Sequence, residues 1–122
     1  MINLNELAIK TLHNAKKREA NGAKINCQPY SMMKHCATEV IEAMRAYDEW
    51  QTYLRFGSIS MGVTDPDFNK YTPKQQFENE LADIICCCLI IAGDINCNIE
   101  EAVLRCIEKK NRLRAEGMGD KK

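Results

Sequence analysis

The stretch Asn79 to Gly93, NELADIICCCLIIAG, decides how this chain is read. From Leu81 to Ala92 every residue is apolar except Asp83. A run of this length, without strict alternation and closed by Gly93-Asp94, predicts a helix from a protein interior rather than a strand. An ionisable group inside such a run is costly to bury unless something neutralises it. Glu80 lies three residues before Asp83, which puts the two carboxylates side by side on one helix face.

Working outward, the punctuation divides the chain into four helical segments, and Val, Ile and Thr nowhere alternate with polar residues for long enough to suggest a sheet. Thr72-Pro73-Lys74-Gln75 supplies an N-cap, a proline at the first helical position and a glutamine to close a capping box, so the third helix runs from there to about Asp94. The first helix opens at Asn3, with Glu6 three residues on, and ends near Asn21-Gly22 after the basic run Lys16, Lys17, Arg18. The second, from about Ser31 to Leu54, has an apolar stripe of Met33, Cys36, Ala37, Val40, Met44 and Tyr47. Asn98 with Glu101 caps a fourth, Ile99 to about Ala115, whose inner positions are Ala102, Val103, Cys106, Ile107 and Leu113. The segment Arg55 to Tyr71, RFGSISMGVTDPDFNKY, reads as a long loop, and residues 117–122 as a flexible tail. One all-α domain over residues 1–116 follows.

Composition narrows the partners. Lys plus Arg equals Asp plus Glu at 17 each, so no global field favours nucleic acid or an anionic membrane. The first residues, MINLNELAIKTLHNAKK, lack the apolar core and small-residue cleavage site of a signal peptide. Ile84 to Gly93 is half of the roughly 20 residues that a membrane span needs. A cytoplasmic protein without nucleic-acid or membrane partners is the expectation. The seven cysteines form neither a CxxC pair nor a zinc spacing, and read as small packing thiols.

A second acidic pair matches the first. In CATEVIEAM, Cys36 to Met44, the polar residues are Thr38, Glu39 and Glu42. Glu39-x-x-Glu42 on the second helix and Glu80-x-x-Asp83 on the third each present two carboxylates on one face. Four such groups converging between packed helices stay ionised only if cations neutralise them. Oxygen-only donors favour a hard ion, Mg²⁺, with Mn²⁺ as substitute. A di-iron site would need Glu-x-x-His on two helices, but His13 and His35 follow Lys10 and Met32.

TEVIEA (Thr38 to Ala43), NELADII (Asn79 to Ile85) and KKNRLR (Lys109 to Arg114) together resemble the all-α NTP pyrophosphatase superfamily. Its members include the MazG-like nucleotide pyrophosphohydrolases and their dCTPase and dimeric dUTPase relatives. The resemblance implies a four-helix MazG-like bundle and a Mg²⁺-dependent enzyme that cleaves a nucleoside triphosphate to a monophosphate and pyrophosphate. It places the metal ligands on Glu39, Glu42, Glu80 and Asp83, and phosphate-binding groups on Asn111 and Arg114 with Lys110 beside them. His35, one turn before Glu39, would line the nucleotide pocket, and Trp50 and Tyr53 would stack on a base. Thr38 and Asn79 stand where the family often doubles the acid, and Ile107 where a lysine is common.

The residues suit that chemistry in their own right. Glu39 or Glu42 can deprotonate the attacking water while the other acids fix the ions, and Lys110 and Arg114 can stabilise the departing pyrophosphate. The alternative is a non-catalytic helical module that binds a nucleotide or a protein partner. Ile84 to Ala92 is apolar around its whole circumference and needs burial on all sides, which predicts a core completed in a homodimer or larger bundle; the family resemblance implies a homodimer or homotetramer.

Overall fold

The computed structural model describes residues 3–57 and 71–117, which form four α-helices and no strand. They are α1 (Leu4–Ala20), α2 (Pro29–Phe56), α3 (Pro73–Asp94) and α4 (Ile99–Ala115). The expected loop at 55–71 and tail at 117–122 fall mostly on residues 58–70 and 118–122, outside the described residues.

Helices α1, α3 and α4 each begin where a side chain accepts from the unpaired N–H groups of the first turn. The Asn3 side chain accepts from the backbone N–H of Asn5 and Glu6, at 2.9 and 3.3 Å. Before α3 the expected capping box is closed: Gln75 N–H donates to Thr72 Oγ1 at 3.2 Å, and Thr72 N–H to Gln75 Oε1 at 3.0 Å. Asn98 Oδ1 accepts from Glu101 N–H at 3.1 Å. Helix α2 starts earlier than its first serine because Pro29, which has no N–H to satisfy, occupies the first turn. It ends at Gly57, whose φ of +70° is a left-handed conformation open to glycine.

Helix α3 is the hub, packed against α2 and against α1. One core cluster joins Ala15 of α1, Cys27, Met32 of α2, and Cys87 and Ile90 of α3. A second joins Ala8 to Leu89 and Ala92, with Leu7, Cys97 and Ile99 against it. Small residues on both sides let α1 and α3 approach closely. Helix α4 then leaves α3 through a 119° turn. Its start is clipped to α1 by one side chain: Asn5 Nδ2 donates to Asn98 Oδ1 at 2.9 Å, and Asn5 Oδ1 accepts from Glu100 N–H at 3.2 Å.

The buried face of α2 is turned by about one residue position from the expected stripe, and of that stripe only Cys36 points inward. Met32, Cys36, Glu39 and Ala43 point inward, whereas Met33, Ala37, Val40, Met44 and Tyr47 are exposed. Successive residues on a helix lie about 100° apart, and α2 carries two adjacent apolar stripes, of which this chain covers one. Similarly, Cys87, Leu89, Ile90 and Ala92 of α3 are buried, but Ile85 is 58% exposed and Cys86 and Cys88 face out. On α4, Val103, Cys106 and Ile107 are exposed, while Ala102 and Leu113 are half-buried. Among the described residues, α2, α3 and α4 therefore each carry a bare apolar face. Of the seven cysteines, only Cys27 and Cys87 are fully buried, so packing explains them in part.

Gly93 shows how tightly α1 and α3 are set. A Cβ built there would lie 2.8 Å from the Ala8 carbonyl oxygen and 3.1 Å from Leu12 Cβ. Alanine is the better helix former by about 1 kcal/mol, but the obstacle is backbone and cannot swing aside. Gly93→Ala is therefore expected to destabilise the fold by about 1–3 kcal/mol, measured by urea unfolding. An unchanged or higher midpoint would mean that α1 is not held at this distance.

Candidate metal centre

Late α2 meets early α3 through rings, and early α2 meets late α3 through sulfur and aliphatic groups, so the two helices run antiparallel. At one end Trp50 stacks on Phe77 with centroids 5.9 Å apart, and Tyr47 meets the Phe77 ring at 5.4 Å, tilted by 64°. At the other end Cys36 and Met32 pack with Cys87 and Ile90. The acidic layer lies between these two apolar layers. Its position follows from the helical repeat: Glu39 is seven residues beyond buried Met32, two turns along the same face.

Carboxylate oxygens of Glu39, Glu80 and Asp83 all lie within 4.8 Å of one another. Both expected pairs thus contribute to one cluster. Glu39 is buried, with 8% of its surface accessible, Glu80 is half-buried and Asp83 is exposed. Glu39 Oε1 lies 3.0 Å from His35 Nε2, while Glu39 Oε2 is buried without a hydrogen-bond partner. An orphaned buried oxygen is costly in a folded protein, and here it belongs to the residue that joins the two acidic pairs.

Glu42 lies outside the three-oxygen group yet close enough to act on it. Burial holds the Glu39 carboxyl above the usual carboxylate range, the charges of Glu42 and Asp83 raise it further, and His35 opposes them. Asp83 is raised by burial and then by Glu42, again opposed by His35. Glu39, Glu42 and Asp83 therefore form one electrostatic unit. Three carboxylate oxygens without a nitrogen or sulfur donor suit a hard divalent cation. The nearby thiols do not compete: burial pushes Cys87 up to about 11, and Cys88 is also raised, by burial and by neighbouring Cys36. A metal would have to displace a more tightly held proton from either of them.

The remaining expected site residues divide. His35 is at the cluster, held by Glu39. Lys110, Asn111 and Arg114 are exposed on α4, whose packing is against α1, and within one chain α4 forms no extended interface with α2 or α3. Trp50 is engaged with Phe77, and Tyr53 is exposed. The ring partners Tyr47 and Phe77 were not among the expected site residues. Phe77 stands three residues before Glu80, a spacing that marks it as the next layer of the same face. Comparison with known proteins finds no matching family model, no matching curated protein and no matching solved structure. No single helix among the described residues is long and apolar enough to cross a membrane.

The raised acids make the metal-free protein sensitive to pH. Glu39 and Asp83 hold their protons more tightly when folded than when unfolded, so the folded state binds more protons between the ordinary carboxylate range and the raised values. Stability falls as pH rises through that window. With chelator present, the melting temperature is expected to be higher near about pH 5 than at about pH 7, and Mg²⁺ should narrow the difference from the neutral side. A metal-free protein that gains stability over that rise would contradict the crowded cluster.

Proposed function

We propose that this protein is a MazG-like, Mg²⁺-dependent nucleoside triphosphate pyrophosphohydrolase that converts a nucleoside triphosphate to a monophosphate and pyrophosphate. The observation that carries the reading is the Glu39, Glu80 and Asp83 cluster with its unpartnered, buried Glu39 Oε2. A purely structural helix pair gains nothing from setting acids against one another in a partly dry seam. Divalent-cation binding gives those oxygens a partner.

Mg²⁺ held there would neutralise triphosphate oxygens and make the attacked phosphorus more electrophilic. Glu39, Glu80 and Asp83 would hold the ion, each through a carboxylate oxygen. Glu42, exposed and beside them, would accept a proton from the attacking water. The water oxygen bonds to the α-phosphorus as the bond to the α–β bridging oxygen breaks, and the electron pair leaves with pyrophosphate. Lys110, Asn111 and Arg114 would bind the phosphates and stabilise that departing charge. Trp50, Tyr47 and Phe77, one layer along the seam, form an aromatic wall within reach of a base.

A homodimer or homotetramer belongs to the same reading. The bare faces carrying Ile41 and Met44 of α2, 62% and 63% exposed, and Ile85 of α3 are what a second copy would cover. Closing the four-helix bundle in this way also gives α4 a neighbour for Ile107 and Val103. Ile85→Asp is expected to lower the molar mass of the particle in light scattering. A wild-type particle that is already monomeric at micromolar concentration would remove this part of the proposal.

The enzyme assay is direct. Purified protein with Mg²⁺ should release pyrophosphate from at least one member of a panel of canonical, deoxy and modified triphosphates. Glu42→Ala and Asp83→Ala should each cut the rate by at least about 100-fold, with helical content unchanged by circular dichroism. Wild-type inactivity across the whole panel overturns the hydrolase. The position of Lys110, Asn111 and Arg114 away from the acids within one chain favours the second reading, a non-catalytic module. Calorimetry separates the two: a triphosphate that binds with Mg²⁺ and is recovered intact identifies the module.

A further inference from the structure

His35 stands at the cluster in a relation that its sequence position only hinted at. It lies one turn before Glu39 on α2, with Nε2 3.0 Å from Glu39 Oε1, and its own side chain is largely exposed whereas that of Glu39 is buried. An ordinary i, i+4 pair on a helix surface has both ends in water and contributes little. This pair has one end in water and the other in the seam. The remaining charges that bear on Glu39 are those of Glu42 and Asp83, which repel its ionised form, and Glu42 in addition favours the protonated Glu39 carboxyl through a side-chain hydrogen bond. Among the described residues His35 is the attractive neighbour of Glu39 and of Asp83.

We infer that His35 is a positioning residue for the metal centre: its Nε2–H holds Glu39 Oε1, which fixes the plane of the carboxyl beside Glu80 and Asp83 and leaves the buried Oε2 for an ion. The inference rests on the metal reading given above. A glutamate carboxyl rotates in a broad well about its last side-chain bond, so without a donor on one oxygen its plane is loosely set. A hydrogen bond to one oxygen defines the plane and leaves the second free for an ion, as outer partners of metal ligands commonly do. His35 stands outside the group of donor atoms that lie within 4.8 Å of one another, which among the described residues comprises Glu39, Glu80 and Asp83. Its exposed ring sits at the solvent edge of the seam.

The test uses Mn²⁺ alone with the full chain, followed by titration calorimetry or by the loss of the free-ion signal in electron paramagnetic resonance. Wild type, His35→Ala and His35→Gln are compared. Glutamine keeps an N–H donor at nearly the reach of Nε2, whereas alanine removes it. His35→Ala should weaken Mn²⁺ binding by about 10-fold or more, and His35→Gln should recover most of that loss, with superimposable helical content and melting in chelator. His35→Ala binding Mn²⁺ as tightly as wild type, or His35→Gln proving no better than alanine, overturns the role of His35 while the metal centre stands. A wild-type protein that does not bind Mn²⁺ overturns both.

Discussion

Everything distinctive about this molecule follows from one carboxylate sunk between two helices. Glu39 occupies the position two turns past Met32 where a further apolar residue would complete the α2 face, and it faces Glu80 and Asp83 across the seam. Burial and like charges both act against its ionised form. The cost is tolerable because the layers on either side are strongly apolar: stacked Trp50 and Phe77 at one end, and Met32, Cys36, Cys87 and Ile90 at the other. Those layers hold the helices together, and the acids between them are held in place by what surrounds them. Carboxylates set against one another in this way work against the fold, and in the proposed function a cation would relieve that opposition.

The scaffold supplies rigidity from the opposite side of α3. Ala8, Ala15, Ala92 and Gly93 bring α1 against α3 so closely that a single added methyl meets backbone. Helix α3 is thereby fixed on one flank and offers Glu80 and Asp83 on the other. The thiols of α3 belong to this logic in part: buried Cys87 is small enough to sit between α2 and α1, while Cys86 and Cys88 lie on a face that one chain leaves bare. The same incompleteness touches α4, which is anchored at its start by Asn5 and carries an uncovered row of Val103, Leu104 and Ile107. In the proposed function, a second copy of the chain would cover these bare rows and give α4 a neighbour.

Much of this was legible in the residues, and for reasons that can be named. Caps are local: Asn3, Thr72 with Gln75, and Asn98 act within a turn, so the starts of α1, α3 and α4 follow from short-range chemistry alone. The acidic pairs were also legible, because three-residue spacing on a helix brings side chains to one face without reference to anything distant. The inner stripe of α2 was not. Met32 and Met33, like Ala43 and Met44, are neighbours of similar character on a helix with two apolar rows, and local pattern has no means of ranking them. Which row turns inward depends on where α3 lies.

The sequence by itself determined four helices, most of their ends, and two carboxylate pairs of matching spacing, since each depends on interactions within a few residues along the chain. Only the tertiary structure decided that Glu39 is the buried member, that Glu80 and Asp83 come within 4.8 Å of it, and that His35 spends its Nε2 on Glu39. It likewise set Phe77 against Trp50 and directed α4 toward α1. These are contacts between helices separated by long stretches of chain. Their geometry is settled by the rotation and depth at which whole helices pack, which no local run of residues encodes.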